Sequence, residues 1–162
     1  MIIFIEAIIL CILFTIFVYV ISKNPIESLY NYPPKIQERV KSLPQYSNSI
    51  PTNKNMLVAK ISACFIFITI LTLILYYINT CTTFIDAFVN GFILWSIVNI
   101  YDVVFMDIIW FCHSKKFILK GTEDMKSEYH NYLYHIKQGV IGEFIGIIIC
   151  TISSLIIQYI II

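Results

Sequence analysis

Apolar residues run almost unbroken from residue 2 to about 22, then over 56–79, 83–111 and 139–162. Each run matches or exceeds the ~20 residues that a membrane-crossing helix needs. Two long polar segments, 23–55 and 112–138, separate them, whereas Asn79-Thr80-Cys81-Thr82 is a short uncharged turn of the kind that joins antiparallel neighbours. The pattern predicts an all-α fold: an integral membrane four-helix bundle, one membrane domain over 1–162, with short amphipathic helices on the cytoplasmic side. The first run has no basic stretch before it and no small-x-small site after it, so it reads as a retained span rather than a cleaved signal peptide. The third run would be about 40 Å long against a hydrocarbon core of ~30 Å, which predicts that its last turns stand out of the membrane.

The polar segments carry helical patterns of their own. Over 35–43, Ile36, Val40 and Leu43 fall on one side, with Gln37, Glu38 and Lys41 on the other, and Pro33-Pro34 suits a helix start. In the second segment Thr122 reads as an N-cap, with Glu123 and Asp124 placed to favour the helix dipole. Met125, Tyr129, Tyr132, Leu133 and Ile136 then recur at helical spacing. This predicts an interfacial amphipathic helix running into the fourth span.

Composition sharpens the class. Of 162 residues, 59% are hydrophobic and 13% charged, against about 25% charged in a soluble domain. Every Lys and Arg, from Lys23 to Lys137, lies in or beside the two long polar segments. The positive-inside rule makes those segments cytoplasmic: a multi-pass cell-membrane protein with both termini outside. No basic face carries stacking aromatics, so a nucleic-acid partner has no support. Richness in Ile, Lys, Asn and Tyr suits an AT-rich bacterial genome. Cys11, Cys64, Cys81, Cys112 and Cys150 form no C-x-x-C, which removes the basis for a dithiol oxidoreductase or a zinc ribbon.

Acids inside a membrane each need a reason. Glu6 and Asp86 fall near the outer ends of their helices, within reach of water. Asp102, Asp107 and Glu143 count to one layer near the cytoplasmic edge, with Asn99 one turn above Asp102 and His113 on the same face. The structural reading pairs these acids with Lys60, Lys115, Lys116 or backbone donors. The chemical readings are proton or cation handling and, less well supported, a catalytic metal site from Asp102, Asp107, His113 and Glu143, with His130 or His135. Asp102 and Asp107 are five apart, about 140° around an α-helix, so they do not share a face. No H-x-x-x-H or E-x-x-H spacing occurs, His130 and His135 read as polar members of the interfacial helix, and neither a metal nor a cofactor is expected. No nucleophile elbow or phosphate loop is present, so an enzyme is the less favoured class. Gly139, Gly142 and Gly146, with Cys150 and Ser153, form a small-residue stripe that lets two membrane helices approach closely.

The run from Asp102 through Asp107-Ile108-Ile109-Trp110 to Gly121-Thr122-Glu123-Asp124, then Tyr129, Tyr132 and His135, resembles an uncharacterised family of small bacterial four-helix membrane proteins. In that family an Asp-containing helix ends near a Trp and is followed by Pro-Gly-Thr-Glu and a Tyr/His-containing segment. The likeness covers the last third to half of the chain and departs at Lys120, where the pattern has proline. It implies a membrane class and a patterned cytoplasmic segment, and lends no activity.

The first functional expectation is a small multi-pass protein acting by interaction, as a subunit, accessory protein or homo-oligomer. Its partners are then the lipid bilayer and a second copy or another membrane protein. The alternatives are a proton- or cation-coupled transporter or channel using Asp102, Asp107 and Glu143, and a membrane enzyme acting on a lipid headgroup at the cytoplasmic face.

Overall fold

The computed structural model describes the backbone of residues 2–161 and the side chains of residues 2–159; Met1 and Ile162, the far ends of the first and fourth expected spans, lie outside the described residues. The regular elements are α1 (Ile2–Ile21), α2 (Pro34–Ser42), α3 (Asn53–Ile78), α4 (Phe84–Phe111), α5 (Lys126–Tyr129) and α6 (Tyr132–Ile156), with no strand among the described residues. Four stretches, α1, α3, α4 and α5 through α6, are long and apolar enough to cross a membrane.

Local chemistry sets the helix starts. Thr52 and Thr83 accept the backbone N–H of Asn55 and Asp86 and so cap α3 and α4. α2 begins on Pro34, whose missing N–H is no loss in a first turn. α6 is capped by Asn131, whose side chain accepts the Tyr134 N–H at 3.1 Å. Thr122, the expected cap, instead turns inward. It is fully buried, donating to the Leu119 carbonyl at 2.7 Å and lying 2.7 Å from the Tyr129 hydroxyl. The long amphipathic helix expected from Thr122 is therefore a turn, the four-residue α5 and a break at His130–Asn131.

α6 packs along α4 and α3, and α1 rests on α4. Away from the polar segments the core holds Leu71, Leu75, Ala87, Leu94, Ile149 and Cys150. The first turns of α3 stand clear, with Leu57, Val58, Ile61 and Phe65 all exposed. At the short turn, Thr80 takes a positive φ. There Glu6 is only 8% exposed and accepts from Asn79 at 3.2 Å, so it does not reach water as expected. Asp86 is exposed and is bonded by Asn90 at 2.9 Å.

At the opposite end the two long polar segments fold together into a platform. Ile26, Leu29, Tyr32, Ile36 and Val40 from the first pack against Phe117, Leu119 and Tyr129 from the second and against Phe111 of α4. The buried Tyr32 hydroxyl donates to the Phe117 carbonyl at 3.1 Å. Lys35 pairs with Glu128 at 2.6 Å and Arg39 with Asp124 at 3.0 Å, both on the surface. Glu123 accepts the Gly121 N–H at 2.8 Å. Gly121 has a φ of +90°, and a Cβ there would lie 2.9 Å from Leu43 Cδ1, so both conformation and space require glycine.

Candidate functional site

The platform half of α4, Asp102–Phe111, is a π-helix; the Cys112 N–H reaches back to the Asp107 carbonyl, five residues away. The i→i+5 pattern stacks residues five apart that an α-helix would separate. The angular separation counted for Asp102 and Asp107 assumes α geometry and does not apply to this stretch; both carboxylates are half-buried.

Asp107 meets His135 of α6, with Oδ2 3.1 Å from Nδ1. His135 is 2% exposed and packs its ring against Phe111 at 5.1 Å, so it is a core residue rather than an interfacial one. A neutral imidazole donating from Nδ1 to a carboxylate leaves Nε2 as its basic nitrogen. Here Nε2 is buried and has no hydrogen-bond partner among the described residues. The pair can hold a proton in an enclosed place. Beside it, burial together with the Asp107 charge pushes the Cys112 thiol up to about 11, so it stays protonated at neutral pH and is a poor nucleophile.

Glu143 belongs to a second cluster. Its Oε2 accepts from Ser96 at 3.0 Å and its Oε1 from Asn99 Nδ2 at 2.8 Å; Asn99 Nδ2 also donates to the Gly139 carbonyl at 2.9 Å. Glu143 and His135 are eight residues apart on α6, about 12 Å of rise. The single acidic layer expected from counting thus divides into two sites. Among the described residues no lysine joins either; the partners are histidine, serine, asparagine and the backbone.

The glycine stripe makes the second cluster possible. Gly139 faces Val103, Gly142 faces Asn99 and Gly146 faces the Trp95 indole, and a Cβ at any of the three would overlap that neighbour. Trp95 donates to the Gly142 carbonyl at 3.1 Å. The stripe serves the contact between α4 and α6 inside one chain. Ser96 lies beside the exposed Ile93 and Ile100, and Glu143 beside the exposed Val140, Phe144 and Ile147. The half-buried cluster therefore opens on the outer flank of the α4–α6 seam.

His113 joins neither cluster. It is exposed, donates from Nδ1 to the Ile108 carbonyl at 2.8 Å, and stacks with His130 at 5.2 Å and Tyr132 at 6.1 Å. Thr122, Glu123 and Asp124 are bonded within the platform, as described above. Among the described residues no three His, Cys, Asp or Glu side chains converge as a metal set.

Ser96 escaped the sequence reading; it could have been found as a polar residue one turn before Asn99 within an apolar run. His135 reads in the sequence as a polar member of the interfacial helix or a marginal metal ligand, and its burial against Phe111 carries no signal in the spacing. No family model, no curated protein and no solved structure matches the chain.

Proposed function

We propose that this chain is a multi-pass cell-membrane protein, a four-helix bundle with both termini outside and the platform in the cytoplasm, that works by association with another membrane helix. The observation that carries this reading is the Ser96–Asn99–Glu143 cluster opening on a flank of exposed isoleucines. Ionisable groups within a span almost always face protein or water rather than lipid. The hydrogen-bond inventory indicates what the partner brings. Both Asn99 amide hydrogens and the Ser96 hydroxyl hydrogen are already used, while the Glu143 oxygens keep free lone pairs. The flank is a net acceptor and suits a donor-bearing helix.

The chain carries such a donor within its own apolar spans: Lys60, exposed on the half of α3 that stands clear. A second copy offering Lys60 to Glu143 makes a head-to-tail contact, which closes into rings or extends as filaments. The test is native mass measurement of the protein extracted with its surrounding lipid, with cysteines placed at the exposed positions 57 and 140, one turn from Lys60 and Glu143, of an otherwise cysteine-free variant for crosslinking. The reading expects a 57–140 link between copies, or a fixed complex with another membrane protein, either one lost on Glu143→Leu. A lone monomer unaffected by Glu143→Leu overturns it.

A second reading, proton handling, is favoured by one observation: the unpartnered, buried Nε2 of His135 beside Asp107. Proton flux in reconstituted vesicles that falls on both Asp107→Asn and His135→Gln supports it; no flux, or flux unchanged by both, removes it.

A further inference from the structure

Along their platform halves, α1 and α4 leave a groove of about 340 Å³ between them, walled by Ile16, Tyr19, Tyr101, Phe105 and Trp110. The Thr15 and Tyr101 hydroxyls in its wall are satisfied internally. Thr15 donates to the Cys11 carbonyl at 2.8 Å and lies 2.7 Å from the Tyr101 hydroxyl. What remains facing the groove is apolar, and it suits a hydrocarbon chain.

The mouth of the groove is different. Tyr19 and Trp110 stack at 6.3 Å, and the Lys116 ammonium lies over both rings, 4.5 Å from the Tyr19 centroid and 5.2 Å from that of Trp110. It donates to the Ser22 hydroxyl at 2.7 Å, which uses one of its three donors. Among the described residues no carboxylate pairs with it. Lys23 follows Ser22 in the chain and Lys115 precedes Lys116, so two further lysines are neighbours in sequence of the residues at the mouth. An unpaired cation over interface aromatics, at the head of an acyl-sized groove, is complementary to a phosphate esterified to a hydrocarbon tail.

We propose that this groove binds an anionic phospholipid, with one acyl chain between α1 and α4 and the phosphate on Lys116. A zwitterionic choline lipid would bring its own cation against Lys23 and Lys115. Free phosphate would leave the groove unfilled.

Trp110 is a built-in reporter, because the chain has two tryptophans and Trp95→Phe leaves Trp110 alone. The Trp95→Phe protein is placed in phosphatidylcholine vesicles containing increasing fractions of phosphatidylglycerol or phosphatidylcholine brominated on the acyl chain. Brominated phosphatidylglycerol should quench Trp110 at a several-fold lower fraction than brominated phosphatidylcholine. That preference should vanish in Lys116→Gln and shrink in the double variant Lys23→Gln, Lys115→Gln, which leaves the aromatic stack untouched. Filling the groove with Ile16→Phe should weaken quenching by both lipids, and millimolar inorganic phosphate should leave it unchanged. Equal quenching by the two lipids in the parent, a preference that survives all the lysine variants, or displacement by inorganic phosphate each overturns the proposal.

Discussion

Asp107 Oδ2, on the π-helical half of α4 that opens at Asp102, lies 3.1 Å from His135 Nδ1 on α6. The carboxylate orients the ring, and the ring lies almost wholly out of water. Replacing Asp107 with leucine leaves a buried imidazole without its acceptor, which costs about 1–3 kcal/mol. Asp107→Asn keeps an acceptor and should cost less. Denaturant titration of the purified protein in detergent, followed by circular dichroism, checks the order; equal stability of wild type and Asp107→Leu would show the contact to be energetically idle.

Gly146 and Trp95 set the closest approach of α6 to α4. A side chain at Gly146 must displace the indole, which also gives up its bond to the Gly142 carbonyl. Gly146→Val should therefore destabilise the protein by about 1–3 kcal/mol, the usual cost of overpacking. Phe144→Val, on an exposed neighbouring position, should be close to neutral. The difference between the two in the same unfolding assay is the measurement.

Gly121 holds the platform turn in a backbone conformation that costs an ordinary residue about 1–2 kcal/mol. Gly121→Ala adds a methyl against Leu43 and should loosen the platform first. The expected readout is faster amide hydrogen exchange in Thr122 and Tyr129 while α4 and α6 keep their protection. Gly121→Asn should do less harm conformationally, since asparagine tolerates this region better.

Tyr32 gives the platform an alkaline limit. Its phenol is 1% exposed, and burial holds its pKa well above the ordinary value of 10.0. In the unfolded chain the phenol ionises near that ordinary value; in the folded platform it stays neutral. The folded pKa is the higher one, so the contribution to stability is complete below pH ~10 and is lost as the pH rises beyond it. Phenolate absorbance should show Tyr32, with Tyr129, whose phenol is also raised by burial, titrating late and together with platform unfolding. Tyr32→Phe should reduce that late step while costing about 1 kcal/mol for the lost bond to Phe117.

The four apolar stretches, the amphipathic α2 with Ile36 and Val40 inward, and the small-residue face of α6 are all legible along the chain. Each rests on spacing and hydrophobicity, which act locally, so nothing beyond the neighbouring residues is needed to read them. The partners of the acids are a different matter. Asp107 pairs with His135 from a π segment that breaks the usual angular count, and Glu143 meets Ser96 and Asn99 through the docking of α4 on α6, whose cap lies at Asn131 rather than Thr122. The same holds for the glycine stripe, whose occupant, Trp95 of the same chain, was set by how α4 and α6 dock. Periodicity predicts which face of a helix is buried. Which side chain waits on the other side depends on helix pairing and local winding, and those follow from the packing of the whole chain.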